Sequence, residues 1–236
     1  MTVIGIIPAR YDSTRFPGKV LVPIHGYPMV HHVYRRSLAC TQLDDLIIAT
    51  DSELVAETCT NLGDKVVLTG SEHTSGTDRV AEVARNMEVD IFVNIQGDEP
   101  LLDPEVIDQL VLLMLSESHL LMGTVGSRAL APDEVANPNI VKVIERDGLA
   151  AGFYRTLPID RPEGEVLKHV GFYAYRARFL QEFSNHPPSP LEREHHLEQL
   201  RALSMGAAVG VLKTDYCSLA VDTPEGLKRV MSAWHE

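Results

Sequence analysis

Short apolar segments that alternate with helical patterns constrain the fold of this chain more than any other feature. The segments 3–8, 45–51, 65–68 and 91–95 are rich in Val, Ile and Leu, and 29–39 carries apolar residues at helical spacing. Continuous apolar strands of this kind are typical of parallel sheets that are buried on both faces. The pattern predicts an α/β fold, with a mostly parallel twisted sheet and helices on both faces.

The loops that follow three of these strands carry many of the reactive side chains. Right-handed crossovers place the carboxyl ends of parallel strands at one edge, where open α/β sheets bind their ligands. We therefore expect the loops after Pro8, Thr50 and Gln96 to meet there. Ser52 or Asp51 is expected to cap the helix that follows.

Later elements are less regular. The segment 75–77 is expected to be a loop that leads into a helix from Asp78, and the second half contains strand-like aromatic segments. The predicted elements of that half are strands at 152–155, 169–176, 209–212 and 218–221, one helix at 191–203, and a C-terminal helix from Pro224. The chain of 236 residues suits a single domain, 1–236, with a smaller α+β lobe at about 128–201.

Composition excludes several classes of function. The net charge of -12 argues against a nucleic-acid partner, because binding phosphate backbones requires a basic face. The three cysteines, Cys40, Cys59 and Cys217, form no C-x-x-C pair, which argues against a disulfide framework or a zinc site. The sequence shows no signal-peptide pattern, and its longest apolar run, 110–115, is too short to span a bilayer. We therefore expect no membrane insertion and a cytoplasmic location.

The segment 8–19 concentrates positive charge in an acidic chain. Arg10, Arg15 and Lys19 stand among Gly, Ser and Thr residues directly after the first strand. Such a loop presents backbone N–H groups, guanidinium forks and an ammonium group, all of which suit a polyphosphate. A solvated basic surface loop is the alternative interpretation. The glycine spacing does not match the P-loop.

Seven motifs together resemble one family. The form Arg10, Ser13-Thr14-Arg15 and Pro17-Gly18-Lys19 resembles the 3-deoxy-manno-octulosonate (Kdo) cytidylyltransferases, which belong to the sugar-activating nucleotidyltransferases. The resemblance continues in order along nearly the whole chain, through 49–51, 75–79, 93–100, 169–173, 197–201 and 221–225. It implies a Rossmann-like nucleotidyltransferase fold, an acceptor-binding and dimerisation role for the lobe at 128–201, and a homodimer.

The resemblance also implies an activity and its residues. CMP would pass from CTP to an acidic acceptor, most simply Kdo, with release of pyrophosphate. The implied catalytic residues are Arg10, Lys19 and Asp98, and the implied Mg²⁺ ligands are Asp98 and Asp222. The implied nucleotide-binding residues are Pro8, Ala9, Arg10, Lys19, Ser75, Gly76, Thr77, Gln96 and Asp98. Taken alone, Asp98 fits an ordinary turn and Asp222 fits a helix cap. Mg²⁺ nevertheless favours one or two carboxylates with phosphate and water oxygens.

The acceptor site is the less specific part of the resemblance. Its implied residues are Arg15, Gln96, Tyr154, Arg155, His169, Tyr173, Glu198 and Gln199. Tyr154 stands where the family has a small residue, so 8-amino-Kdo and phosphonoformate remain alternative acceptors. A transferase for a neutral sugar phosphate and a non-catalytic nucleotide-binding protein of the same fold are the rivals from other classes. The intact set of Arg10, Lys19, Asp98 and Asp222 argues against the non-catalytic protein.

Overall fold

A computed structural model describes residues 1–13 and 16–234. The strands in this part of the chain are β1 (Val3–Pro8), β2 (Pro23–Ile24), β3 (Tyr27–Pro28), β4 (Asp45–Thr50), β5 (Val66–Leu68), β6 (Ile91–Asn94), β7 (Met122–Ser127), β8 (Lys142–Arg146), β9 (Leu149–Tyr154), β10 (Glu165–Arg176) and β11 (Val209–Thr214). The α-helices are α1 (Met29–Ser37), α2 (Glu53–Asn61), α3 (Gly76–Ala84), α4 (Pro104–Ser116), α5 (Pro132–Val135), α6 (Ala177–Asn185), α7 (Pro190–His195), α8 (Gln199–Ser204) and α9 (Pro224–Ala233).

The chain divides into two compact units. The first contains Met1–Asp108 and the C-terminal residues from Ser218 onward, and the second is Gln109–Cys217. The lobe predicted at 128–201 lies within the second unit. No helix in the described part of the chain has the length and apolar character needed to cross a membrane.

A parallel sheet forms the core of the first unit. Its strand order is β5-β4-β1-β6, and Ile6 at the centre of β1 lies opposite Ile47 on one side and Asn94 on the other. Ile6, Ile7 and Ile48 are fully buried, as expected for strands that read as continuous apolar runs. Helix α3 packs against β1, β4 and β6. The predicted parallel strands of this half are confirmed.

Serine side chains begin two helices of the first unit. Ser52 accepts a hydrogen bond from the Val55 N–H at the start of α2, which confirms the expected cap. Ser75 accepts from the Asp78 N–H at the start of α3. Because α3 begins at Gly76, the prediction that 75–77 is a loop leading to a helix from Asp78 is wrong: a serine cap placed ahead of Gly76 starts the helix two residues earlier.

The second unit contains a mixed sheet. Its order is β10-β7-β11-β9-β8, and β8 also pairs with the first residues of β10, so the pairings close into a ring. The β8–β9 hairpin turns at Asp147 and Gly148, whose φ angles of 53° and 81° suit the Asp-Gly sequence of a tight hairpin. Most of these pairs are antiparallel, and only β7–β11 is parallel. The expected mostly parallel sheet therefore describes the first unit better than the second.

Two predictions for later elements are wrong. The segment 191–203 is not one helix, because His196 adopts a left-handed conformation (φ 53°) between α7 and α8. The segment 218–221 forms no strand; its Val221 N–H donates to the carbonyl oxygen of Asp98 instead. This single contact matters for the site described next.

Candidate active site

Three charged side chains meet in the first unit. The Lys19 ammonium donates to Asp98 Oδ2 at 2.6 Å and to Asp222 Oδ1 at 2.9 Å. Asp98 follows β6, and Asp222 directly precedes Thr223, the residue that caps α9. Lys19 begins a short 3-10 turn after Gly18, whose φ of 69° lies in the left-handed region that favours glycine. The two predicted metal ligands and the predicted catalytic lysine therefore form one cluster.

Backbone contacts hold the two carboxylate loops together. A Cβ at Gly97 would lie 2.9 Å from the Pro8 carbonyl oxygen, so glycine allows the Asp98 loop to approach the end of β1. The Val221 N–H donates to the Asp98 carbonyl oxygen at 2.8 Å. The Ser218 hydroxyl also donates to the buried carboxylate of Glu99. These bonds fix Asp98 and Asp222 relative to each other, whatever cation lies between them.

Charge compensation dominates the electrostatics of Lys19. Burial by itself would lower the pKa of this lysine, but Asp98 and Asp222 outweigh that effect, and the pKa of Lys19 is raised. Its side chain is only 14% exposed. Lys19 is therefore a full positive charge in a largely enclosed position.

A cavity lies beside this cluster. The residues lining it are Pro8, Arg10, Ser13, Lys19, Val20, His73, Thr74, Ser75, Gly76, Arg79, Gln96, Gly97, Asp98 and Asp222. Most of the predicted nucleotide-binding residues are thus brought together. Ala9 and Thr77 are buried instead of lining the cavity, and Arg15 lies outside the described residues.

Arg79 is a lining residue to which the sequence assigned no role. Its guanidinium donates to Asp51 Oδ2 at 2.8 Å, to the Gly70 carbonyl oxygen at 3.2 Å and to the Thr69 hydroxyl. Asp51 is thus an ion-pair partner of Arg79, and Ser52 caps the helix in its place. Only the motif at 75–79 signalled Arg79, because Asp51 and Arg79 are 28 residues apart.

The carboxylate pair fits a hard cation. Both carboxylates already accept hydrogen bonds from one cation, the Lys19 ammonium. Carboxylate oxygens are also among the ligands that Mg²⁺ prefers. The described residues contain no group of three or more His, Cys, Asp or Glu side chains able to hold a metal. Phosphate and water oxygens would have to complete the shell of an ion held by Asp98 and Asp222.

A bulge in β10 shapes the candidate acceptor residues of the second unit. Val170 pairs with Val125, and Tyr173 pairs with Thr124. Between these two pairs β10 advances by three residues and β7 by one, so β10 contains two extra residues there. A bulge bends a strand and redirects its side chains. As a result, the rings of His169 and Tyr173 lie 5.6 Å apart, although the two residues are four positions apart along the strand.

Thr124 fixes the state of His169, and the sequence did not signal this residue. Its hydroxyl donates to the Phe172 carbonyl oxygen at 2.9 Å and contacts His169 Nε2 at 3.0 Å. Because a hydroxyl has one proton to donate, Nε2 carries the imidazole hydrogen. The residue His169 keeps some accessible surface, but Thr124, Phe153 and Tyr173 enclose its ring, and burial lowers the pKa of His169 to about 4.

This pKa predicts an acid-sensitive fold. An unfolded His169 gains a proton below its ordinary pKa of 6.5, whereas the folded residue stays neutral down to about 4. The contribution of His169 to the free energy of unfolding should therefore fall as the pH drops from 6.5 towards 4, by at most about 1.4 kcal/mol per pH unit. Urea unfolding at several pH values should show a shallower fall for His169→Gln. The exposed control His119→Gln should follow the wild type; equal slopes in all three proteins would refute the assignment.

The other candidate acceptor residues divide into two groups. Burial and then the negative charge of Glu198 raise the pKa of Tyr173, so Glu198 acts on the Tyr173 phenol. Gln199 is the buried first residue of α8. Tyr154 and Arg155 line a different cavity, and the Arg155 guanidinium donates to the backbone carbonyl oxygens of Pro138, His195 and His196. Arg155 thus supports the end of α7.

Comparisons with known proteins decide the family. A cytidylyltransferase family model matches residues 4–211. The 3-deoxy-manno-octulosonate cytidylyltransferase of Solibacter usitatus (strain Ellin6076) is 49% identical over 233 residues, which cover 97% of this chain and 92% of that protein. The protein of the same name from Geobacter metallireducens (strain ATCC 53774 / DSM 7210 / GS-15) is 44% identical, covering 98% of this chain and 97% of that protein. The chain belongs to the 3-deoxy-manno-octulosonate cytidylyltransferase family.

A solved structure agrees with this membership of the Kdo cytidylyltransferase family. CMP:2-keto-3-deoxy-manno-octonic acid synthetase complexed with CTP matches with a TM-score of 0.92 and 37% identity, covering 99% of this chain and 98% of that chain. The resemblance drawn from the seven motifs and the predicted Rossmann-like nucleotidyltransferase fold are both confirmed. The Kdo cytidylyltransferase family consists of CTP-dependent nucleotidyltransferases, so the chain is assigned to an enzyme family.

Proposed function

We propose that this protein transfers CMP from CTP to 3-deoxy-manno-octulosonate and releases pyrophosphate. The observation that carries the proposal is the cluster of Lys19 with Asp98 and Asp222 beside a cavity that Arg10 and Gln96 also line. Joining two anionic substrates requires cations at the phosphates and a precise approach of the attacking oxygen. This cavity offers both cations and carboxylates in a chain of the matching family.

Each residue has a role in an in-line displacement. Arg10 and Lys19 neutralise the phosphates of CTP, while Ser75, Gly76 and Gln96 bind the rest of the nucleotide. The anomeric 2-hydroxyl of Kdo attacks the α-phosphorus and gives up its proton to solvent, while the bond from that phosphorus to the α,β-bridging oxygen breaks and pyrophosphate leaves with that oxygen. Asp98 and Asp222 would hold Mg²⁺, which supplies charge stabilisation at the phosphate oxygens when it is bound.

The acceptor residues are assigned to the second unit. The residues that would contact the sugar acid are His169, Tyr173, Glu198 and Gln199. The Nε2–H of His169 donates to Thr124, so Nδ1 is the ring nitrogen that can accept a hydrogen bond from the sugar acid. A neutral imidazole suits hydroxyl groups better than the carboxylate of Kdo. Arg15, one of the acceptor-binding residues that the resemblance implies, is proposed to contact that carboxylate.

A panel of substrates tests the proposal. Pyrophosphate release should be measured with Mg²⁺ and CTP against Kdo, 8-amino-Kdo, phosphonoformate, N-acetylneuraminate and a neutral sugar phosphate, and then with UTP, GTP and ATP in place of CTP. The proposal expects turnover with CTP and Kdo. Turnover with another acid would move the acceptor, and CTP binding without any turnover would indicate a non-catalytic relative.

We also infer a homodimer that works in the cytoplasm, where CTP is available. The side chain of Ile159 is fully exposed on the connection between β9 and β10. The same unit holds an apolar cavity of about 540 Å³ lined by Phe153, Leu191, Leu200 and Leu203 among others. A two-fold axis would let each copy insert its Ile159 into the cavity of the other.

The dimer carries its own prediction. Burying an isoleucine contributes roughly 1.5–3 kcal/mol, so Ile159→Asp should raise the dimer dissociation constant at least about tenfold. Sedimentation velocity across a concentration series measures this constant. Leu54→Asp, which alters an exposed apolar residue of α2 in the first unit, should leave it unchanged. A monomeric wild type, or an Ile159→Asp variant that dimerises as well as the wild type, would contradict the interface.

A further inference from the structure

We propose that Lys19 is a resident cation of the Asp98–Asp222 site, which it leaves for the phosphates of the nucleotide, so that metal ion and CTP bind together and metal alone binds weakly. The proposal rests on the proposed function and adds to it an order of events at the same site. Lys19 would lie between Asp98 and Asp222 before the substrates bind and against the nucleotide phosphates afterwards.

The first step is geometric. The Lys19 ammonium lies 2.6 Å from Asp98 Oδ2 and 2.9 Å from Asp222 Oδ1, which is where a cation shared by the two carboxylates would lie. A second cation cannot share both oxygens with the ammonium without close contact between like charges. Metal entry therefore requires Lys19 to move.

The second step is that the carboxylates stay in place when Lys19 moves. The Val221 N–H bond to the Asp98 carbonyl oxygen and the Ser218 bond to Glu99 tie the two loops together without help from Lys19. The pair thus remains preformed for a new cation. Two neighbouring carboxylates also repel each other, so the departure of Lys19 favours the entry of another cation.

The third step is the destination of Lys19. Its ammonium ends a flexible four-carbon stem, and the same cavity is lined by Arg10, Ser75 and Gly76, the proposed nucleotide-binding residues. Nucleotide phosphates give the ammonium a new anionic partner there. By linkage, a nucleotide that draws Lys19 away strengthens metal binding, and metal strengthens nucleotide binding by the same factor.

Metal titration without nucleotide isolates this effect from the metal affinity of the phosphates themselves. Binding of Mn²⁺ to the full-length protein is followed by electron paramagnetic resonance, with Lys19→Met and Lys19→Gln as variants. Arg10→Met is the matched control, because it removes one positive charge from the lining of the same cavity. Circular dichroism verifies that each variant is folded.

We expect both Lys19 variants to bind Mn²⁺ at least about tenfold more tightly than the wild type, and Arg10→Met to change the affinity less than about threefold. Adding Asp222→Asn to Lys19→Met should abolish the gain. The proposal is overturned if neither Lys19 variant binds more tightly, or if Arg10→Met gains as much. The titration involves no turnover, so its failure is distinguishable from a failure of the proposed function, which would appear as a wild type without CMP transfer. Lys19→Met should gain metal affinity while losing CMP transfer.

Discussion

Asp98→Ala should lower kcat for CMP transfer on the order of 10²–10³-fold, while the protein stays folded. The change removes one of the two carboxylates that would hold the metal, and it also removes the closer of the two partners of Lys19. Both effects act on the phosphates at the moment when charge develops on the leaving group. Pyrophosphate release at saturating CTP, Kdo and Mg²⁺ measures the loss.

Two further variants test whether the loss of activity comes from the charge of Asp98 and is specific to this position. Asp98→Asn keeps the shape of the side chain and removes its charge, so it should lose nearly as much activity as Asp98→Ala. Asp215→Ala removes a carboxylate that is 86% exposed and should match the wild type. An Asp98→Ala enzyme with a kcat within about threefold of the wild type would remove Asp98 from the catalytic site.

Arg201→Ala should destabilise the protein by about 3–5 kcal/mol, because it leaves a buried carboxylate without its cation. The Arg201 guanidinium donates to Glu192 through two nitrogens, at 2.9 and 2.5 Å, and to the Phe183 carbonyl oxygen at 3.2 Å. It also lies 4.6 Å from the centroid of the Phe183 ring. Urea unfolding followed by circular dichroism measures the free energy of unfolding.

An exposed arginine provides the control for this ion pair. Arg178 pairs with Glu182 one helical turn away, at 2.8 Å, but its side chain is 92% exposed. Surface pairs of this kind contribute little because water screens them. Arg178→Ala should therefore leave the free energy of unfolding nearly unchanged. If the two variants lose equal stability, burial is not what makes the Arg201 pair important.

The fold could be predicted best where burial dominates the sequence pattern. The strands β1, β4 and β6 are continuous apolar runs, and such runs are typical of parallel strands that are buried on both faces of a sheet. The break between α7 and α8 could not be predicted, because His196 takes a left-handed conformation without a glycine to signal it. The segment 218–221 resembles a strand in composition, yet a distant loop supplies the partner of its Val221 N–H.

The charged residues of the site could be predicted from the sequence, but the hydrogen bonds that position the site residues could not. Arg10, Lys19, Asp98 and Asp222 were recognised from motifs, and they do line one cavity. The bond between Ser218 and Glu99 joins residues 119 positions apart, and the pair formed by Thr124 and His169 depends on a bulge. No local pattern signals such contacts, because the register between distant strands and loops creates them.

The ³¹P NMR spectrum of a reaction containing the protein, CTP, Kdo and Mg²⁺ tests the proposed function most directly, since it identifies the phosphorus that is attacked. CMP transfer replaces the three CTP signals by one phosphodiester signal and by pyrophosphate in equal molar amounts. Formation of CDP with inorganic phosphate, or of CDP with a phosphorylated Kdo, would place the attack at the γ-phosphorus and contradict CMP transfer. Unchanged CTP in the presence of folded protein would contradict Kdo as the acceptor.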